Sequence, residues 1–142
     1  MKKIFPLLLT ISMAANCLKA QVVQLSNNTN LTVGIPINAT KAIFIQPIEG
    51  QEDFNLWVTD GTKANTQQLN VPVTLASESA IAFLNNKVYF SGINDNNGAE
   101  LWVTDGTVAG TSIVKDINNG PSSSDPRGLV VFNNSIYFFE NG

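Results

Sequence analysis

The sequence predicts an all-β protein assembled from antiparallel four-stranded repeats of about 45 residues. Three observations predict it. The segment Leu56-Trp57-Val58-Thr59-Asp60-Gly61-Thr62 returns unchanged as Leu101-Trp102-Val103-Thr104-Asp105-Gly106-Thr107. A run of identical residues this long does not recur by chance in so short a chain, so the chain is an array of one copied supersecondary unit. Short apolar and β-branched runs are separated by Asn, Asp and Gly, the composition of strands and turns. No stretch after residue 21 shows a convincing helical period.

Residues 1–20 read as a secretory signal peptide. Lys2 and Lys3 precede a mostly apolar run from Ile4 to Ala15, and small residues follow, with cleavage expected after Ala20. The run is too short for a membrane span. Cys17 raises lipid attachment as an alternative, although Asn16 stands where a small residue is usual. The remaining chain then contains neither cysteine nor histidine. Five basic residues (Lys41, Lys63, Lys87, Lys115 and Arg127) face 11 acidic ones. An acidic chain without a basic stripe argues against nucleic acid and against charge-driven binding to an anionic membrane.

Residues 21–79 form a degenerate first repeat. Lys41-Ala42-Ile43-Phe44 matches Lys87-Val88-Tyr89-Phe90, and Leu56 to Thr59 is the tryptophan strand. Its fourth strand, near Thr66 to Leu69, is weak and polar. Residues 80–126 form the complete second repeat. Ala80 to Leu84, Lys87 to Gly92, Glu100 to Thr104 and Thr111 to Ile117 read as four strands, which short connections make an antiparallel meander. Residues 127–142 begin a third repeat, with strands at Gly128 to Phe132 and Ser135 to Phe139. The Pro- and Ser-containing stretch from Asn119 to Pro126 links copies two and three.

Asparagine is abundant, and the pairs Asn27-Asn28, Asn85-Asn86, Asn96-Asn97, Asn118-Asn119 and Asn133-Asn134 read as turns. Asn27, Asn30, Asn38 and Asn133 begin Asn-x-Ser/Thr triplets, which matter only in a glycosylating host. The runs Ala80–Leu84, Val88–Phe90, Leu129–Phe132 and Ile136–Phe139 are apolar at consecutive positions, so these sheets require cover on both faces. Stacked blades of a β-propeller provide such cover, and the repeat length suits four-stranded blades. Two copies and the start of a third do not close a ring of about 4–8 blades, so the expectation is a partial array.

Glu100-Leu101-Trp102-Val103-Thr104-Asp105-Gly106-Thr107, with Ala109-Gly110-Thr111 and Val114-Lys115-Asp116-Ile117-Asn118, resembles the ELWxxDGT repeat family. Asn86-Lys87-Val88-Tyr89-Phe90 is similar to that family's lead-in. The likeness is partial in copy one, where Asn55 replaces the Glu and Lys63-Ala64-Asn65-Thr66 replaces the Ala-Gly-Thr run. It covers most of residues 41–142. The resemblance implies long secreted bacterial proteins with propeller-like arrays, often with a C-terminal sorting domain for the cell surface. It implies no defined activity.

The recurrent acids Asp60 and Asp105 invite a reading as cation ligands or a carboxylate pair. A turn is the simpler reading: Gly61 and Gly106 take positive φ while the Asp accepts a backbone hydrogen bond. The loop Asn94-Asp95-Asn96-Asn97-Gly98-Ala99-Glu100 is oxygen-rich, and Asp95 and Glu100 are weak candidates for calcium. Calcium wants six to eight oxygens, so a surface hairpin is the simpler reading here too. Glu49, Glu52 and Asp53 occupy the matching loop of copy one. Catalysis lacks a histidine base, a thiol and a phosphate loop, and no carboxylate pair stands out for glycoside hydrolysis. Leu56, Trp57, Asp60, Gly61, Thr62, Leu101, Trp102, Asp105, Gly106 and Thr107 therefore read as structural. The expected function is a non-enzymatic, secreted or cell-surface repeat module that contacts protein, glycan or further repeats. The alternative is part of a propeller-type carbohydrate hydrolase or lyase with its active residues elsewhere.

Overall fold

A computed structural model describes residues 34–76 and 80–141. The expected signal peptide, Cys17 and the first residues of copy one lie outside these. The described residues are all-β, with eleven strands and no helix. None of their segments is a helix long and apolar enough to cross a membrane.

The first repeat contributes β1 (Gly34–Asn38), β2 (Lys41–Pro47), β3 (Phe54–Thr59) and the two-residue β4 (Gln67–Gln68). The second contributes β6 (Ile81–Leu84), β7 (Lys87–Asn94), β8 (Gly98–Thr104) and β9 (Ser112–Lys115). Each set is an antiparallel meander. β10 (Arg127–Phe132) and β11 (Ser135–Phe139) form a separate hairpin. A strand absent from the sequence reading, β5 (Thr74–Leu75), pairs with Phe54 of β3 and with Gly92 and Ile93 of β7. This splice joins both meanders into one hydrogen-bonded sheet. No barrel or propeller closes among the described residues.

Asn85-Asn86 and Asn133-Asn134 make the two-residue hairpin loops that need positive φ at both positions, with φ of 53° and 60° and of 47° and 56°. Asparagine supplies this conformation at little cost. The pairs Asn96-Asn97 and Asn118-Asn119 lie in loops without positive φ.

Strand alternation gives each meander a tryptophan face and a leucine face. In the first repeat Phe44 opposes Trp57 and Ala42 opposes Thr59 on one face. Ile43 opposes Val58 and Ile45 opposes Leu56 on the other. In the second, Phe90 opposes Trp102 and Val88 opposes Thr104, while Tyr89 opposes Val103 and Ser91 opposes Leu101. The leucine face of repeat one packs on the tryptophan face of repeat two. Ile37, Ile43, Ile45 and Leu56 share one buried cluster with Val88, Phe90 and Trp102. Each such side chain contributes about 1.5–3 kcal/mol on burial, more than a typical net hydrogen bond, so this stacking holds the repeats together. The corner of repeat two closes the contact: a Cβ on Gly106 would meet Lys41, Ile37 and Val58, and Lys41 Nζ donates to the Asp105 carbonyl at 3.3 Å.

The two tryptophans stand in identical segments but not in equivalent surroundings, because their faces have different neighbours. Trp102 is buried in the interface, whereas Trp57 is half-buried on the far side of repeat one. The third hairpin lies against β6, with Ile136 and Phe138 half-buried. Its other face, carrying Val130, Phe132, Tyr137 and Phe139, is exposed.

Candidate functional site

The repeated signature builds a corner, and its parts are now visible. The strand ends at Thr104, and β9 begins only at Ser112. In this seven-residue connection Gly106 takes positive φ and Asp105 accepts a backbone N–H. Side-chain oxygens organise it. Thr104 and Thr111 share a hydroxyl hydrogen bond at 2.7 Å, and the Gly106 N–H donates to Thr104 Oγ1 at 3.0 Å. The Thr107 N–H and hydroxyl both donate to Asp105 Oδ1, at 2.9 and 2.6 Å. The Thr111 hydroxyl also donates to the Thr107 carbonyl at 2.7 Å.

Copy one reproduces this network. Thr59 and Thr66 share a bond at 2.7 Å, Gly61 N–H donates to Thr59 Oγ1 at 3.0 Å, and Thr62 donates twice to Asp60 Oδ1, at 2.9 and 2.7 Å. Gly61 and Gly106 stand at φ 88° and 80°, where other residues are strained. The Thr pairs, seven residues apart in both copies, were not singled out from the sequence. Their shared spacing is the signal that could have found them. Hydrogen bonds from Asn65 and Thr62 hold the Asp60 carboxyl below its ordinary 3.8. Asp105 is also lowered, chiefly by the Thr107 hydroxyl, against a smaller opposing effect of burial. Both acids are occupied in shaping their own corners.

Glu100 is fully buried. Its carboxylate accepts from the backbone N–H groups of Ile117 at 3.0 Å, Asn118 at 3.2 Å and Ser124 at 3.1 Å, and from the Ser124 hydroxyl at 2.7 Å. It thus pins the link between repeats two and three onto β8. A buried carboxylate needs such donors. Ser124, also fully buried, was missed in the sequence because a serine within a Pro/Ser link reads as exposed. Asp95 sits instead at the exposed tip of the β7–β8 loop. Asp95 and Glu100 join no cluster of three metal-binding side chains among the described residues.

The structure does bring the two matching loops together. Gln51 and Asp53 of copy one and Asn94 and Asp95 of copy two line one open hollow of roughly 380 Å³ at the loop end of the sheet. The stretch from Val71 to Thr74, which runs into β5, also lines it, and the Thr74 hydroxyl donates to Asp53 Oδ2 at 3.1 Å. The hollow offers carboxylates and amides as hydrogen-bond acceptors and donors beside apolar Val71, Val73 and Ile93. No family model, curated protein or solved structure matches the chain.

Proposed function

We propose that the chain is a non-enzymatic, secreted or cell-surface repeat module whose loop-end hollow contacts a protein or glycan. One observation carries the reading: the splice through β5 places the two corresponding polar loops on a common hollow. Carboxylates and amides beside small apolar surfaces suit the mixed hydroxyl and C–H surface of a sugar or a polar peptide. Glu100 and the repeated Asp60 and Asp105 support the same reading, since all three are engaged in internal hydrogen bonds. The leader-like residues 1–20 support export.

A glycan-binding and protein-binding screen of the purified chain, run beside a broad glycosidase and lyase assay, tests the proposal. Binding lost in Asp53→Ala and Asp95→Ala with the fold intact is the expected result. Turnover abolished by a single acid substitution would overturn it.

A further inference from the structure

Asparagine precedes glycine in Asn97-Gly98, Asn119-Gly120 and Asn141-Gly142, of which Gly142 lies outside the described residues. An Asn-Gly pair is open to ring closure between the side-chain amide carbon and the next backbone nitrogen, because glycine has no Cβ in the way and its backbone turns freely. Closure needs a free side-chain amide, a mobile backbone and room around the glycine. Asn97-Gly98 has none of these. Asn97 is half-buried, its N–H donates to Asn94 Oδ1 at 2.9 Å, and its Nδ2 donates to Asp116 Oδ2 at 3.2 Å. Gly98 is buried at the start of β8 and pairs with Asn94. A Cβ there would lie 2.7 Å from Ser123 Oγ and 2.9 Å from the Pro121 carbonyl oxygen, so the link between repeats two and three packs directly on this peptide. Asn119 stands within that link, outside any strand, and is exposed. Its side chain has no hydrogen-bond partner among the described residues. A Cβ on Gly120 would meet nothing within 4 Å among them beyond its chain neighbours. The Gly120 N–H is held only by Asp116 Oδ2 at 3.4 Å, longer than the usual range for such a bond.

We propose that Asn119 is a site of spontaneous deamidation, and that its conversion loosens the link between repeats two and three. The Gly120 nitrogen attacks Asn119 Cγ and a C–N bond forms. The N–H proton passes through water to the side-chain nitrogen, which leaves as ammonia. Water then opens the ring at either carbonyl and yields aspartate or isoaspartate. In isoaspartate the main chain runs through the former side chain and is one carbon longer. The extra carbon falls between two anchors of the link, the Asn118 N–H on Glu100 Oε1 at 3.2 Å and the Gly120 N–H on Asp116 Oδ2. Both anchors cannot keep their geometry across the longer span. Asn97, with the same following residue, is held in its amide form by the fold.

Incubation of the purified chain in mildly alkaline buffer, followed by peptide mapping in a mass spectrometer, tests the proposal. In the folded chain Asn119 is expected to convert faster than Asn97 by about tenfold or more, a barrier difference of about 1.4 kcal/mol or more. In concentrated urea only the shared Asn-Gly sequence remains, and the two are expected to convert at comparable rates. The fraction changed at Asn119 carries an added negative charge and separates by ion exchange. It is expected to lose hydrogen-exchange protection at Asn118 while β7 and β8 keep theirs. An Asn119 that keeps its amide in the folded chain, an Asn97 that converts as fast there, or a rate difference that persists undiminished in urea would each overturn the proposal. So would full protection at Asn118 in the changed fraction.

Discussion

Trp57 and Trp102 hold the same place in their strands, but only Trp57 has an acceptor for its indole N–H. Trp57 Nε1 donates to Gln46 Oε1 at 2.7 Å, whereas Trp102 Nε1 is buried without a partner. The reason is the diagonal neighbour on the adjacent strand: Gly92 occupies the place of Gln46 in the second repeat. There is no room for more. A Cβ on Gly92 would lie 2.7 Å from both Trp102 Cδ1 and Val73 Cγ2. The first repeat leaves its tryptophan half-wet and hydrogen-bonded. The second buries its tryptophan tightly and leaves the N–H unsatisfied.

Gly92→Ala is therefore expected to destabilise the fold by about 1–3 kcal/mol through overpacking. Gln46→Ala should cost less, about 0.5–1.5 kcal/mol, because water can reach the half-buried Trp57. Urea unfolding of the two variants decides the order. A Gly92→Ala protein as stable as wild type would mean that Val73 and Trp102 move aside freely.

Glu100→Ala removes the acceptor of two loop N–H groups, on Ile117 and Asn118, that have no second acceptor among the described residues. The Ser124 N–H retains the Ala99 carbonyl at 3.0 Å. The expected loss is about 2 kcal/mol or more, since each of these half-buried donors left without its charged acceptor costs about 1 kcal/mol or more. Glu100→Gln keeps the shape but turns an amide NH2 toward backbone N–H donors, so it should also destabilise measurably. Hydrogen exchange at Ile117 and Asn118 separates this from a general loss of stability. Those amides should lose protection first, and unchanged protection there would refute the pinning role.

The second repeat was legible because its turns and strands carry local signals. Asn85-Asn86 and Gly98 bound β7, and the sequence placed all four strands to within a few residues. β1 escaped notice because Gly34 and Pro36 interrupt its Ile35/Ile37 alternation, and β1 pairs only along β2. β5 escaped because two residues carry no periodicity, and its pairing partners come from both repeats. Glu100 was read as a weak cation candidate because the oxygen-rich loop precedes it. Its position inside Ala99-Glu100-Leu101-Trp102, an otherwise apolar run, was the better clue to a buried and satisfied acid. The loop-end hollow was not readable at all, since nothing local brings Asp53 near Asp95.

Asp60 and Asp105 make a prediction about acid stability. Both carboxyls lie below the ordinary 3.8 in the folded chain, held there first by Asn65 and by Thr107 respectively. A lowered folded value means that the unfolded chain takes up protons first as pH falls. The stabilisation is fully present above the unfolded value and is lost as pH drops through the folded values, in the range below about 4. Melting temperature should therefore be flat in this contribution near neutrality and fall in strong acid. The double variant Asp60→Asn and Asp105→Asn keeps an acceptor oxygen but cannot titrate, so its melting temperature should depend less on pH below about 4. An identical acid profile would show that other carboxylates carry the effect.

Gly110 tests whether the first repeat is a reliable guide to the second. A Cβ on Gly110 would run into the Asp105 carboxylate, so a rigid reading forbids any side chain there. Yet Asn65 occupies the matching place in copy one, where its Nδ2 donates to Asp60 Oδ2 at 2.6 Å and its N–H donates to Thr62 Oγ1 at 3.3 Å. The obstacle in copy two is the end of a mobile carboxylate rather than backbone, and copy one shows an arrangement in which both groups fit. Gly110→Asn is accordingly expected to change stability by less than about 1 kcal/mol, with the new amide bond offsetting the displacement of Asp105. Gly110→Val presents the same Cβ without the amide, and should be the more damaging by about 1–2 kcal/mol. Equal and large losses in both variants would show that the corner of repeat two, clamped by Ile37 and Lys41 against Gly106, has lost the freedom that its exposed counterpart retains.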